Sequence, residues 1–192
     1  MKQQDRFPFF LLLVFTLFWI LLAKKPYSRF DWFLENILTF LFIPLLVITY
    51  KKFRFSNLSY VLLFLFTILH TIGSYYTYTY MPLFTWLQTM FDLSRNYYDR
   101  VLHFLFGVIF YFPIYEIVTQ KLKIKGWMSY VLPLSIIISF KTMYEILEYL
   151  TVIVTHSAQV SDQFLGMQGD IWDAQKDILV GIVGAVVSMI VC

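Results

Sequence analysis

Residues 99–118 read DRVLHFLFGVIFYFPIYEIV, a run that is largely apolar apart from its ends and His103. A helix needs about 20 mostly apolar residues to span the hydrocarbon core of a bilayer, so this run predicts a transmembrane helix. Asp99 and His103 are four residues apart and therefore share one face of that helix. An ionisable side chain inside a bilayer costs about 3 kcal/mol or more unless it is paired or hydrated. Both residues are thus candidates for a functional site.

The rest of the chain has the same apolar character. Of its 192 residues, 59% are hydrophobic and 14% are charged, and the mean hydropathy is +0.69. These values are typical of a membrane protein and leave no room for a separate soluble domain. The sequence predicts an all-α polytopic membrane bundle of about six transmembrane helices, forming one integral membrane domain over residues 1–192. The predicted spans are 7–23, 31–50, 58–78, 99–118, 127–152 and 172–192.

Two further segments have their own interpretation. Lys2 and Arg6 precede the first apolar run, as in a signal peptide, but the run ends without a small-residue cleavage pattern and is followed at once by charged residues. We therefore expect it to be retained as the first span. In the third loop, residues 81–96, apolar side chains recur at helical spacing and predict an amphipathic segment at the membrane surface.

Tyrosine and threonine residues at the end of the third span have two interpretations. The stretch Tyr75-Tyr76-Thr77-Tyr78-Thr79-Tyr80 is typical of an interfacial aromatic belt, in which ring and hydroxyl face different media. Tyr76 and Tyr78 are also candidate substrate contacts.

The distribution of cations predicts the orientation. With six spans, the side that holds both termini carries eight cations and the other side carries six. Because cytoplasmic loops are enriched in lysine and arginine, we expect both termini in the cytoplasm.

Most of the remaining ionisable residues converge at one depth. Helices rise about 1.5 Å per residue, so His70 lies about 18 Å along its span and His103 about 6 Å from the opposite face. Lys141, Glu145 and Glu148 are spaced by four and three residues, which places them on one helix face. The residues that converge in the outer half are His70, His103, Lys141, Glu145, Glu148, Asp173 and Asp177.

Two kinds of chemistry suit this set. The first is a divalent metal site for Zn, Mn, Fe or Mg, with His70, His103, Glu148 and Asp173 as ligands. The second is acid–base catalysis on a lipid-linked or cell-envelope substrate. Burial raises the pKa of a carboxyl group and lowers that of an imidazole, which can bring a Glu–His pair into the range that acid–base catalysis needs. The candidate catalytic residues are Asp99, His103, Glu145, Glu148, Asp173 and Asp177. The candidate substrate contacts are Arg100, Tyr76, Tyr78 and Gln168, with Arg100 orienting an anionic group.

Two other interpretations stay open. Asp99–His103 and Lys141–Glu145 are also what ordinary salt bridges in a helical bundle look like, so the set could be structural or could bind an ion or a partner. A small cation or proton carrier is a further alternative. The expected surroundings are the lipid bilayer, and no nucleic-acid motif is present.

Three motifs resemble a known family. Residues 96–104 (NYYDRVLHF), 144–148 (YEILE) and 164–177 (FLGMQGDIWDAQKD) are similar to the YjdF-like family of bacterial inner-membrane proteins. The resemblance extends over nearly the whole chain. It implies six helices in a bacterial plasma membrane and no established activity.

A second resemblance covers less of the chain. The order of Asp99, His103, Glu145, Asp173 and Asp177 is similar to that in VanZ-like membrane proteins, which are linked to glycopeptide-antibiotic tolerance. It implies a role in the cell envelope, and no reaction follows from it.

Overall fold

The computed structural model describes residues 5–155 and 167–192, and within these ranges the ordered elements are helices with no strand. The predicted all-α class is therefore confirmed. The helices are α1 (Arg6–Leu22), α2 (Arg29–Thr49), α3 (Asn57–Tyr75), α4 (Pro82–Met90), α5 (Tyr98–Glu116), α6 (Met128–Thr155) and α7 (Asp173–Val191). A π-helical turn, Ile117–Lys121, extends α5.

Five helices in the described part of the chain are long and apolar enough to cross a membrane. They are α2, α3, α5 with its π turn, α6 and α7, which correspond to the second to sixth predicted spans. The first predicted span is α1, whose 17 residues lie at the lower end of the length that crosses a bilayer. A polytopic helical bundle follows from these lengths and compositions.

The third span ends earlier than the sequence predicted. Helix α3 stops at Tyr75, and Thr77 and Tyr78 then take left-handed backbone conformations, with φ of 48° and 53°. This bend turns the chain back, so that the Tyr78 amide donates to the carbonyl of Gly73 at 2.8 Å. The side chain of Tyr78 thereby becomes buried instead of lying in a surface belt.

The amphipathic segment of the third loop is helix α4. None of its nine residues is buried, and Leu83, Trp86 and Met90 are exposed. A short helix with a bare apolar face fits the predicted position at the membrane surface, which stays a prediction.

Polar contacts join the start of α3 to the end of α5. The hydroxyl of Ser56 caps α3 by accepting from the Ser59 amide at 3.1 Å. Glu116, at the end of α5, accepts from the Ser59 hydroxyl at 2.7 Å and from the Ser56 amide at 3.2 Å. The carboxylate thus joins the end of α5 to the start of α3, and it satisfies an amide that the helix leaves free.

Helices α5 and α7 form the closest helix pair of the bundle. A Cβ atom on Gly107 would overlap the backbone carbonyl of Gly181, and one on Gly184 would overlap the carbonyl of Phe104. Small residues at such positions let two membrane helices approach until their backbones touch. The approach places the first turns of α5 and α7 side by side, and these turns carry the candidate site residues.

This packing gives a graded prediction. Gly107→Ala and Gly184→Ala should each lower the free energy of unfolding by about 1–3 kcal/mol, because the new methyl group meets backbone that cannot move away. Gly181→Ala is the matched control, since its methyl group would meet the flexible Lys141 side chain at 3.2 Å. Unfolding by denaturing detergent in mixed micelles measures the three changes. Equal losses in all three variants would contradict the described helix contact.

Candidate functional site

The first turns of α5 and α7 and the middle of α6 bring ionisable side chains together in two adjoining groups. We call Asp99, His103, Lys141 and Glu145 the His103 cluster. We call Arg95, Arg100, Asp173 and Asp177 the arginine cluster. Helix α5 contributes to both groups through Asp99, Arg100 and His103, which follow one another within two turns.

His103 is the centre of the first group. Its Nδ1 atom lies 2.6 Å from Nζ of Lys141, and its Nε2 atom lies 3.3 Å from Oδ1 of Asp99. Lys141 also donates to Oε1 of Glu145 at 2.9 Å. A charged lysine can only donate, so Nδ1 must accept and Nε2 must carry the proton that faces Asp99. The result is a continuous series of contacts in which hydrogen bonds join His103, Lys141 and Glu145, and an ion-pair contact joins His103 to Asp99.

The arginine cluster ties α7 to the start of α5. Arg100 Nη2 lies 2.5 Å from Asp173 Oδ1, and Arg95 contacts the same oxygen. Arg100 Nε lies 2.6 Å from Asp177 Oδ1, an ion pair whose angles are not those of a hydrogen bond. Arg95 and Asp173 are only 3% and 4% exposed. Removing one partner of such a buried pair leaves the other charge uncompensated.

Asp170 lies at the edge of the arginine cluster, before α7. Its carboxylate accepts from Lys176 Nζ at 2.7 Å, and Arg100 Nη2 is 3.7 Å away. The hydrogen bond from Lys176 holds the pKa of Asp170 below its ordinary value. Its lysine partner is exposed, in contrast to the buried partners of Asp173.

Gln168 joins the segment before α7 to the loop before α5. It takes a left-handed backbone conformation, with φ of 45°, and its side chain clamps the backbone of Asn96. The side-chain Oε1 of Gln168 accepts from the Asn96 backbone amide at 2.8 Å, and the side-chain Nε2 donates to the Asn96 backbone carbonyl at 3.1 Å. The amide group predicted to contact substrate is thus occupied in holding two loops together.

Asn96 extends this connection to α4 and α5. Its Nδ2 donates to the Met81 carbonyl and to the Thr85 hydroxyl, at 3.2 and 3.1 Å. Its Oδ1 accepts from the Tyr98 amide at 3.1 Å. One fully buried side chain therefore fixes the starts of α4 and α5, and Gln168 attaches the segment that leads into α7.

His70 belongs to a separate contact group with Tyr78 and Glu35. Its Nε2 lies 3.1 Å from the backbone carbonyl of Glu35, which can only accept. Nδ1 is therefore the accepting nitrogen, and the Tyr78 hydroxyl donates to it at 2.5 Å. Tyr144 links this group to the His103 cluster, because its hydroxyl donates to the Glu35 carboxylate at 3.3 Å and its ring lies 6.1 Å from that of His103.

The two remaining predicted residues occupy different settings. Glu148 is 9% exposed and lies within electrostatic range of Glu35, Glu145 and Asp99. Tyr76 ends α3 and packs edge-on against Tyr75, with ring centroids 4.7 Å apart. Glu148 thus stays with the ionisable groups, whereas Tyr76 contacts its sequence neighbour.

The structure assembles a different potential metal site from the predicted one. Among the described residues, one ligand oxygen each from Asp99, Asp173 and Asp177 lies within 4.8 Å of the others. This trio shares only Asp173 with the predicted ligands. Of the other three, His103 and Glu148 lie in or beside the His103 cluster, and His70 is bonded to Tyr78 and Glu35.

Carboxyl groups outnumber the cations that face them. The two clusters and the adjoining residues contain six carboxyl groups that are at most 14% exposed, against three basic side chains, Arg95, Arg100 and Lys141. In a low-dielectric interior such an excess requires protons or a bound cation in addition to the ion pairs. The carboxyl groups are those of Glu35, Asp99, Glu145, Glu148, Asp173 and Asp177.

Comparison with known proteins places the chain in a family. The family model described as "Predicted membrane protein (DUF2238)" matches residues 7–192. The chain belongs to this family. It is 30% identical over 179 residues to "Inner membrane protein YjdF" of Escherichia coli strain K12, covering 93% of this chain and 85% of that protein. The YjdF-like resemblance seen in the sequence is confirmed, and the VanZ-like one stays a prediction. No solved structure matches the chain.

Sequence reasoning missed some of the residues that build the site. Asn96 precedes α5 in a polar stretch, and nothing in its spacing shows that it is buried. Tyr144 looked like one aromatic residue among many. The four-residue spacing predicts the Lys141–Glu145 pair, but only the folded chain places Lys141 on the imidazole of His103.

The arginine cluster yields a prediction on stability. Asp173→Asn should lower the free energy of unfolding by about 3 kcal/mol, because Arg95 and Arg100 lose a shared buried carboxylate. Asp170→Asn is the matched control and should have a clearly smaller effect, since its hydrogen-bond partner Lys176 is solvent-exposed and Arg95 and Arg100 lie 4.0 and 3.7 Å from its carboxylate, farther than from that of Asp173. Detergent unfolding measures both variants. A loss for Asp170→Asn as large as that for Asp173→Asn would contradict the assignment of the buried pairs.

Proposed function

We propose that the His103 cluster carries out acid–base chemistry on a lipid or cell-envelope component, in a bacterial plasma membrane with both termini in the cytoplasm. The observation that supports this proposal is the series of contacts from Asp99 through His103 and Lys141 to Glu145, an ion pair followed by two hydrogen bonds. A histidine held between a carboxylate and a second proton carrier is the usual arrangement for general acid–base work. The orientation rests on the cation distribution between the two sides.

Each member of the chain has a role in moving a proton. Lys141 can transfer a proton from Nζ to Nδ1 of His103, which gives an imidazolium and a neutral amine. Asp99, Glu145 and Asp177 surround that imidazolium, at 3.3, 3.4 and 3.7 Å, and stabilise its charge. The imidazolium can then pass its Nε2 proton to a substrate oxygen or nitrogen, which leaves a neutral His103 whose Nδ1 proton faces the neutral amine. Substrate would approach along Asp99 and His103, whose side chains are 14% and 11% exposed.

The arginines and the remaining carboxyl groups support the cluster. Arg100 is engaged with Asp173 and Asp177, so we assign it the positioning of α7 beside His103 rather than the binding of an anionic substrate group. Glu148 lies one turn beyond Glu145 on α6 and would serve as a reserve proton acceptor. This role requires it to be close to the reacting groups, which its electrostatic proximity to Glu145 and Asp99 supports.

Cells without the E. coli family member can test the proposal. An E. coli strain without yjdF would express the present protein as wild type, as His103→Gln or as Glu116→Gln. Untargeted mass spectrometry would then compare the lipid and envelope extracts of these strains. Wild type should change the level of at least one component, and His103→Gln should reduce that change by about 100-fold or more, as expected for loss of a general acid–base group.

Two controls separate chemistry from folding. Glu116→Gln alters a buried carboxylate of the same helix at the opposite end, and it should retain the wild-type effect. Glu145→Gln should behave like His103→Gln, and size-exclusion profiles establish which variants are folded. If folded His103→Gln gave the same extracts as wild type, acid–base chemistry at this cluster would be ruled out in favour of a structural role.

A divalent cation held by Asp99, Asp173 and Asp177 is a second candidate. The closeness of the three oxygens favours it, since carboxylate oxygens lie about 2.0–2.6 Å from such ions. In addition, Oδ2 of Asp173 is buried and accepts no hydrogen bond. Arg100 lies on two of these carboxylates, so an ion would have to share them with its guanidinium.

Metal analysis tests this second candidate. Under the metal hypothesis, plasma mass spectrometry of purified wild-type protein and Glu116→Gln should find one near-stoichiometric divalent metal. Asp99→Asn should lose it, because that residue supplies one of the three oxygens without bonding to an arginine of the cluster. A metal content that is unchanged in folded Asp99→Asn would exclude the trio as its site.

A further inference from the structure

An apolar groove opens at the other end of the bundle, between α1, α2 and α3. Its volume is about 390 Å³, within the range of small-molecule sites. Apart from the groups at its mouth, its lining is almost entirely aliphatic and aromatic. The side chains that line its middle include Leu12, Phe15, Phe42, Leu46, Leu63 and Phe64.

Two polar contacts between α1 and α2 bracket the groove. Towards the His103 cluster, Trp19 Nε1 donates to Asn36 Oδ1 at 2.7 Å. At the opposite end, the Tyr50 hydroxyl donates to Asp5 Oδ1 at 2.5 Å. Between these contacts, α2 runs from Phe42 to Tyr50 along the groove, a distance of about 12 Å. The groove is thus an apolar slot that runs about 12 Å along α2 and has one polar mouth.

Basic residues surround the mouth at Tyr50. Lys51 lines the groove, and both Lys51 and Lys52 are exposed directly after α2. Arg54 donates to the Tyr50 hydroxyl at 3.3 Å, and Lys121 approaches from the end of α5, with Nζ 3.5 Å from the Lys52 carbonyl. The carboxylate at the mouth, Asp5, is bonded to Tyr50. The mouth therefore presents a net positive charge beside an apolar slot.

We infer that this groove binds an anionic phospholipid, with one acyl chain in the slot and the phosphate at Lys51 and Lys52. The slot has the apolar lining that a flexible hydrocarbon chain requires, over about 12 Å that would hold part of that chain, and its ligand would be present in the surrounding bilayer. Clustered lysines beside a membrane helix attract anionic head groups. The inference is independent of the chemistry at His103. The groove lies between α1, α2 and α3, whereas the residues of the His103 cluster belong to α5 and α6.

Native mass spectrometry of the full-length protein tests the head-group contact. The protein would be mixed with phosphatidylglycerol or phosphatidylethanolamine of identical acyl chains. Phosphatidylglycerol should form the more persistent complex, and Lys51→Glu/Lys52→Glu should weaken its binding by about tenfold or more. The matched control is Lys24→Glu/Lys25→Glu, an exposed lysine pair that follows α1 at the opposite end, and it should bind as wild type does.

A second pair of variants tests the slot. Leu46→Trp should fill the groove and reduce phosphatidylglycerol binding, whereas Leu45→Trp, on the exposed face of α2, should leave it unchanged. Equal binding of the two lipids by wild type would overturn the inference. Equal binding of phosphatidylglycerol by the two lysine-pair variants would also overturn it. Either result would indicate that lipid binds around the protein without specificity.

Discussion

Close packing of α5 on α7 is the constraint on which the polar site depends. Gly107, Gly181 and Gly184 let the two backbones touch, and no larger side chain fits at Gly107 or Gly184 without displacing a carbonyl. This contact places Arg100 and His103 opposite the first turns of α7. With the two helices one side chain further apart, the ion pairs to Asp173 and Asp177 could not form. The small residues of α7 are therefore as necessary to the site as its charged ones.

Once α5 and α7 are in contact, the ionisable side chains of the two clusters must be placed so that each charge has a partner. Each cation has at least one carboxylate partner, and the imidazole of His103 has a donor on one side and an acceptor on the other. The carboxyl groups still exceed the cations, which gives the site a capacity to take up protons or a metal ion. The loop contacts of Asn96 and Gln168 keep the starts of α4, α5 and α7 in register around this network. A polar network in an apolar bundle must be held in this way, because a misplaced buried charge is costly.

The two ends of the bundle differ in their physical character. The end that holds the starts of α5 and α7 has nearly dry ion pairs and hydrogen bonds, whereas the end near Tyr50 has an apolar slot with a basic mouth. Trp19 and Asn36 separate the two, since their hydrogen bond joins α1 to α2 between the slot and the polar level. The proposed chemistry at His103 and the inferred lipid at Tyr50 therefore involve different parts of the structure, and variants can disturb one without the other.

The sequence by itself determined the helical membrane class, the positions of the helices to within a few residues, and the convergence of the ionisable groups at one depth. These features follow from hydropathy and from the fixed rise of a helix, which are local properties. Only the tertiary structure decided which charges pair. Gln168 binds Asn96 backbone, Arg100 binds Asp173 and Asp177, and Tyr78 turns inward to His70, because helix rotation and loop path set side-chain direction. Depth can be read along one helix, but partners depend on how all the helices face one another.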